Sequence, residues 1–128
     1  MSWQSYVDDH LIASGNVTQA TIIGVKDVDV WAQSPGFEVS PDEAKALIAG
    51  FSDATALQAN GIFANKEKYM FIKCTDGKEI LGKKGTSGMC AFKGSTFIMI
   101  AVHDESITPG NCSATTGKLA DYLIEQGM

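Results

Sequence analysis

Phe97-Ile98-Met99-Ile100-Ala101-Val102 is apolar at every position. A strand with one wet face alternates apolar and polar residues, so an unbroken run fits a central strand covered on both faces. Working outward, the second half of the chain reads as more strands. Ile62–Ala64, Tyr69–Thr75, Glu79–Leu81, Met89–Phe92 and Thr96–Val102 are rich in β-formers and separated by turn residues. Asp76-Gly77 and Lys93-Gly94 are hairpin signals, because Gly and Asp tolerate positive φ. The first half adds two strands, Thr18–Val25 and Val28–Gln33, joined tightly through Lys26-Asp27, with Ser34-Pro35-Gly36 breaking the pattern.

Helices supply the covering layers. Trp3, Tyr6, Val7 and Leu11 follow helical spacing from about Trp3 to Ile12, with Ser2 as N-cap and Gly15 as stop. Ser40-Pro41-Asp42-Glu43 combines an N-cap, a first-turn proline and a capping-box glutamate, and Gly50 ends that helix. A short helix covers about Asp53–Ala59. Thr108-Pro109-Gly110-Asn111 reads as a loop before a last helix over about Ser113–Gln126. The order α-β-β-α-α-β-β-β-β-β-α predicts an α+β fold with a central, mostly antiparallel sheet. Helices at both termini flank this sheet.

Bulk properties narrow the function. The 128 residues suit one domain, 1–128, large enough to fold without disulfides. With 10 basic and 15 acidic side chains the formal charge is −5, which argues against nucleic-acid binding through many phosphate contacts. Cys74, Cys90 and Cys112 are odd in number and lack CxxC spacing, so neither a disulfide framework nor a zinc site is expected. The N-terminus has no basic start and no apolar run of signal-peptide type, and no stretch is apolar enough to span a bilayer. A cytoplasmic location with reduced thiols follows as the expectation.

Candidate sites are few. Trp3 and Tyr6 are three apart on one helix face, and Tyr122 lies on the matching flank of the last helix. Indole and phenol carry a polar tip on an apolar body, which suits a polyproline II ligand that keeps its carbonyls but lacks N–H groups. On spacing alone such a stripe is more often ordinary core. A basic series, Lys66, Lys68, Lys73, Lys78, Lys83 and Lys84, marks either a contact surface for an acidic partner or a solvated rim with edge-protecting lysines. Gly82-Lys83-Lys84-Gly85-Thr86-Ser87-Gly88 lacks the spacing of a phosphate loop and reads as a flexible hairpin loop. His10 and His103 sit in structural contexts, and no local pattern pairs them with a cysteine nucleophile. No enzyme, cofactor or metal role is expected.

The chain resembles the profilins, in their lower-eukaryote and plant form more than the vertebrate form. The similarity runs from Ser2-Trp3-Gln4-Ser5-Tyr6-Val7-Asp8 through Ala59-Asn60-Gly61-Ile62, Lys68-Tyr69-Met70, Gly82-Lys83-Lys84-Gly85 and Thr108-Pro109-Gly110-Asn111-Cys112 to Leu119-Ala120-Asp121-Tyr122-Leu123-Ile124-Glu125-Gln126-Gly127. The resemblance implies that the N- and C-terminal helices pack on one face of the sheet and the short helices on the other, in an actin-monomer-binding regulator of polymerisation in the cytoplasm and cytoskeleton. It implies a polyproline groove at Trp3, Tyr6, Trp31 and Tyr122 for proline-rich proteins such as formin-type assembly factors. Met128 stands where vertebrate members carry a tyrosine, which implies a smaller groove. On the opposite side it implies an actin surface at Lys68, Met70, Lys73, Lys83, Lys84, Pro109 and Lys118, and weak binding of phosphoinositide lipids. From the residue pattern alone, the alternative is a small-molecule sensor domain with a helix-flanked antiparallel sheet.

Overall fold

The computed structural model describes residues 3–128, so the expected Ser2 cap lies outside the described residues. Seven strands form one antiparallel sheet: β1 Gln19–Gly24, β2 Val30–Gln33, β3 Ile62–Ala64, β4 Glu67–Thr75, β5 Glu79–Lys84, β6 Ser87–Lys93 and β7 Phe97–His103. Their spatial order is β2-β1-β7-β6-β5-β4-β3. Strands β3 to β7 run as a meander. The β1–β2 hairpin joins β7, and helices α2 (Pro41–Ser52) and α3 (Thr55–Asn60) carry the chain from β2 to the far edge.

Strand β7 is buried along its whole length, as its apolar run requires. Ile98, Ile100 and Val102 face one core with Phe37, Leu47, Phe51 and Leu57 from the α2–α3 side. Phe97, Met99 and Ala101 face a second core with Tyr6, Val7 and Leu11 of the N-terminal helix and Leu119 and Leu123 of the C-terminal one. The sheet therefore carries the terminal helices on one face and the short helices on the other.

The N-terminal helix, α1, covers residues 3–14 and is not uniform. One α turn at Trp3–Ser5 widens into a π-helical stretch over Tyr6–Leu11 and tightens to a 3-10 turn at Ile12–Ser14. Gly15 ends it at φ 78°, in the left-handed conformation that favours glycine.

The capping box at Ser40 forms as its sequence dictates: Glu43 N–H donates to Ser40 Oγ, and Ser40 N–H to Glu43 Oε1 at 2.9 Å. The same carboxylate accepts from Asn65 and Lys66 N–H at 3.2 and 2.8 Å. It thereby ties α2 to the β3–β4 turn, whose two residues both adopt positive φ.

Four sequence expectations change. Helix α2 runs through Gly50 to Ser52, and a Cβ at Gly50 would lie 2.3 Å from Leu57 Cδ1. Gly50 serves the packing of α3 on α2 rather than ending the helix. Helix α4 (Pro109–Glu125) begins at Pro109, not Ser113. Thr108 is its N-cap and accepts from Asn111 N–H at 3.1 Å, so the expected loop is the first helical turn. The β1–β2 connection spans residues 25–29 instead of a tight link at Lys26-Asp27, and β2 starts at Val30. The glycine-rich run is not a flexible loop. Strands β5 and β6 run through it, and only Gly85-Thr86 turns, with Gly85 at φ 60°.

Candidate functional site

The aromatic residues come together at the β2 edge. The pairing of β1 with β2 skips one residue: Ile22 faces Ala32, Ile23 faces Val30, and Trp31 is the extra residue of a bulge. A bulge bends the strand and re-aims a side chain. Here it lays the Trp31 indole across Gly24, where a Cβ would fall 2.6 Å from the ring. Trp3 packs on Trp31 with ring centroids 4.7 Å apart, and on the buried Phe97 at 6.2 Å. Tyr6 meets Trp3 edge-on at 5.8 Å, and His10 lies 5.6 Å beyond Tyr6. His10 and Tyr122 then line one groove of about 290 Å³ with Thr115, Lys118 and Leu119. The row is thus Trp31, Trp3, Tyr6, His10 and Tyr122. Trp31 and Trp3 are half-buried, Tyr6 is buried, and His10 and Tyr122 are exposed, Tyr122 at 49%. Met128 packs on the edge of the same core, and its N–H bonds Leu123 O at 3.0 Å.

Gln4 fixes the row to the sheet. Its amide Nε2 donates to Gln33 O at 3.0 Å, and its Oε1 accepts from Gln33 N–H at 3.3 Å. The side chain thereby pairs with the open edge of β2, which would otherwise offer unmet backbone groups. Sequence reasoning missed Gln4, Gly24, Phe97 and His10. Only His10 carried a usable signal, since it follows Tyr6 by four residues on the same helix face.

The basic candidates gather on β4 and β5. Met70 and Lys83 are directly opposed cross-strand partners, and Lys73 faces Leu81. Lys68, Met70 and Lys83 line a groove with Asn60 and Gly85. Lys83 also borders a second cleft that reaches Pro109 at the start of α4. Lys84 pairs with Glu67. The β4–β5 pairing has its own bulge at Ile72, which stands 49% exposed beside Met70 at 63%. Lys118 is the exception: it belongs to the Tyr122 groove, not to this group.

Four strand steps separate β2 from β5 in the sheet, roughly 19 Å at about 4.8 Å per step. Trp31 and the apolar patch rimmed by lysines therefore occupy separate parts of one sheet, and Trp3, Tyr6, His10 and Tyr122 stand on the terminal helices. Among the described residues no group of His, Cys, Asp and Glu is placed to hold a metal ion, and no helix is long and apolar enough to cross a membrane.

The family model for profilin matches residues 1–128. The chain belongs to the profilin family. Profilins are actin-binding regulatory proteins rather than enzymes, and this membership displaces the small-molecule sensor reading. Profilin-2 of Acanthamoeba castellanii is 47% identical over 127 residues, covering 99% of each chain. The crystal structure of Acanthamoeba castellanii profilin II superposes with a TM-score of 0.94 at 46% identity, covering 99% of this chain and 100% of that one. Mouse profilin IIa, solved in complex with a double repeat from the FH1 domain of mDia1, superposes with a TM-score of 0.83 at 25% identity over 100% of both chains.

Proposed function

We propose that this profilin is a two-faced adaptor in which a single domain, 1–128, holds an actin monomer and a proline-rich segment at once. The observation that carries the reading is the continuous packing of Trp31, Trp3 and Tyr6. The half-buried Trp3 and Trp31 over the buried Tyr6 form an apolar floor whose polar tips can donate, suited to a polyproline II helix whose carbonyls stay free. Mouse profilin IIa in complex with FH1 repeats supports formin-type proline-rich proteins as the partner class. Trp3, Tyr6, Trp31 and Tyr122 are the ligand residues, and His10 extends the row.

The actin monomer is assigned to Lys68, Met70, Lys73, Lys83, Lys84 and Pro109. An apolar centre of Met70 and Ile72 with lysines around it resembles the make-up of specific interfaces. Lys118, placed beside Tyr122, is assigned to this contact on family resemblance alone. Phosphoinositide headgroups are a weaker ligand for the same lysines, limited by the net charge of −5. The setting for this activity is the cytoplasm, in association with the cytoskeleton.

Titration with poly-L-proline tests the groove. Wild-type tryptophan fluorescence changes on binding, and Trp3→Ala weakens binding about 30-fold or more, as a central aromatic anchor does. Unaltered affinity in a folded Trp3→Ala protein refutes the groove assignment.

A further inference from the structure

Cys90 in β6 and Cys112 in the second turn of α4 face each other across the terminal-helix core. Their sulfurs are 3.8 Å apart, and both thiols are free and buried. Together with Leu81, Met89, His103 and Pro109 they line a largely apolar cleft of about 330 Å³ that is bordered by Lys83. A hydrogen bond joins the two sulfurs; it holds the Cys112 thiol below its ordinary range and, together with burial, pushes Cys90 up. One sulfur is thus readied for attack and its neighbour waits to resolve the product.

We propose that Cys90 and Cys112 form a peroxide-reactive dithiol that closes to an intrachain disulfide and thereby reshapes the Lys83–Pro109 cleft. The oxidant is a hydroperoxide. The Cys112 thiolate attacks its terminal oxygen, the O–O bond breaks, and the alcohol or water leaves with a proton. Cys112 is then a sulfenic acid. The Cys90 sulfur attacks the Cys112 sulfur, the S–S bond forms, the S–O bond breaks, and the hydroxyl leaves as water with the Cys90 proton. The two thiols lose two electrons and two protons in total, and the peroxide gains them.

A disulfide requires the sulfurs to close from 3.8 Å to about 2.05 Å. In a close-packed core that displacement passes to the elements carrying them. The first turn of α4, with Pro109, is drawn toward β6. The aromatic row contains neither cysteine, and Cys74 packs against the opposite core and serves as an internal control. The consequence for actin rests on the proposed function, whereas the thiol chemistry does not.

The test oxidises the full chain with hydrogen peroxide, alkylates the remaining thiols under denaturing conditions and maps the peptides by mass spectrometry. The expected result is a monomer lighter by two hydrogen atoms, a linked Cys90–Cys112 peptide pair and an alkylated Cys74. Cys90→Ala leaves Cys112 as a sulfenic acid that dimedone traps, and Cys74→Ser closes like the wild type. Alkylation of both Cys90 and Cys112 after oxidation, or linkage through Cys74 or between chains, overturns the dithiol without any variant. The cross-linked protein binds actin monomers about fivefold or more weakly, binds poly-L-proline as before, and recovers on reduction. Unchanged actin affinity in fully cross-linked protein overturns the switch. Failure of the reduced protein to bind actin at all instead refutes the proposed function, and the peptide map still decides the dithiol.

Discussion

Each face of this profilin is built around a β-bulge, and the two bulges treat their extra residue in opposite ways. Trp31 is laid over Gly24 and held between that backbone and Trp3. Ile72 is left 49% exposed beside Met70, with lysines around it. The aromatic face is therefore assembled before any ligand arrives, which lowers the ordering cost of binding. The lysine-lined side carries long, solvated side chains, of which Lys84 is already paired with Glu67, and binding there would cost rotamer freedom. On the proposed function, recognition and stability are entangled at the first face and separable at the second.

The sharpest way to break that comparison is Phe97→Ala. Phe97 is fully buried and supports Trp3, so truncation costs about 3–5 kcal/mol in urea denaturation and also weakens polyproline binding. Loss of stability with intact polyproline affinity would uncouple the two. Gly24→Ala comes next. Its Cβ must displace the Trp31 ring, at a cost of about 1–3 kcal/mol from overpacking and with loss of the poly-L-proline fluorescence response.

On the other face, Lys83→Glu with Lys84→Glu changes stability by less than about 1 kcal/mol, since the Lys84–Glu67 pair is exposed. Actin-monomer affinity, measured by pyrene-actin or sedimentation assays, falls while polyproline binding holds. Equal loss of both indicates misfolding or a wrong surface.

The smallest effect is expected at Asp53, which accepts from Thr55 Oγ1–H and N–H at the entry to α3. These bonds hold its carboxyl below the ordinary value of 3.8. A depressed folded-state value adds stability above the unfolded value, and that contribution disappears as pH falls through the folded one. Asp53→Asn therefore lowers the neutral plateau slightly and flattens the acid limb below the ordinary carboxylate value, read by thermal unfolding as a function of pH.

Much of the fold was legible because local rules agreed with the global one. The unbroken run at Phe97–Val102 specified a strand covered on both faces, and Ser40-Pro41 with Glu43 specified a helix start. Thr108-Pro109 carries the same cap and proline but is followed by Gly110-Asn111, poor helix formers that made it look like a loop. The bulges at Trp31 and Ile72 were not legible, since a bulge is defined by which residue the neighbouring strand leaves unpaired. The Gln4 clamp and the Cys90–Cys112 pair join residues 29 and 22 positions apart, with no short motif to announce them. The aromatic residues themselves were visible in the sequence. What turned a stripe into a row was the bulge that brings Trp31 onto Trp3.

The central claim is that the two faces are independent and can be occupied together. The direct measurement is the actin-monomer affinity of this profilin with and without a saturating proline-rich FH1 peptide. The account predicts the same affinity in both conditions and a ternary complex by analytical ultracentrifugation. Displacement of actin by the peptide would contradict it.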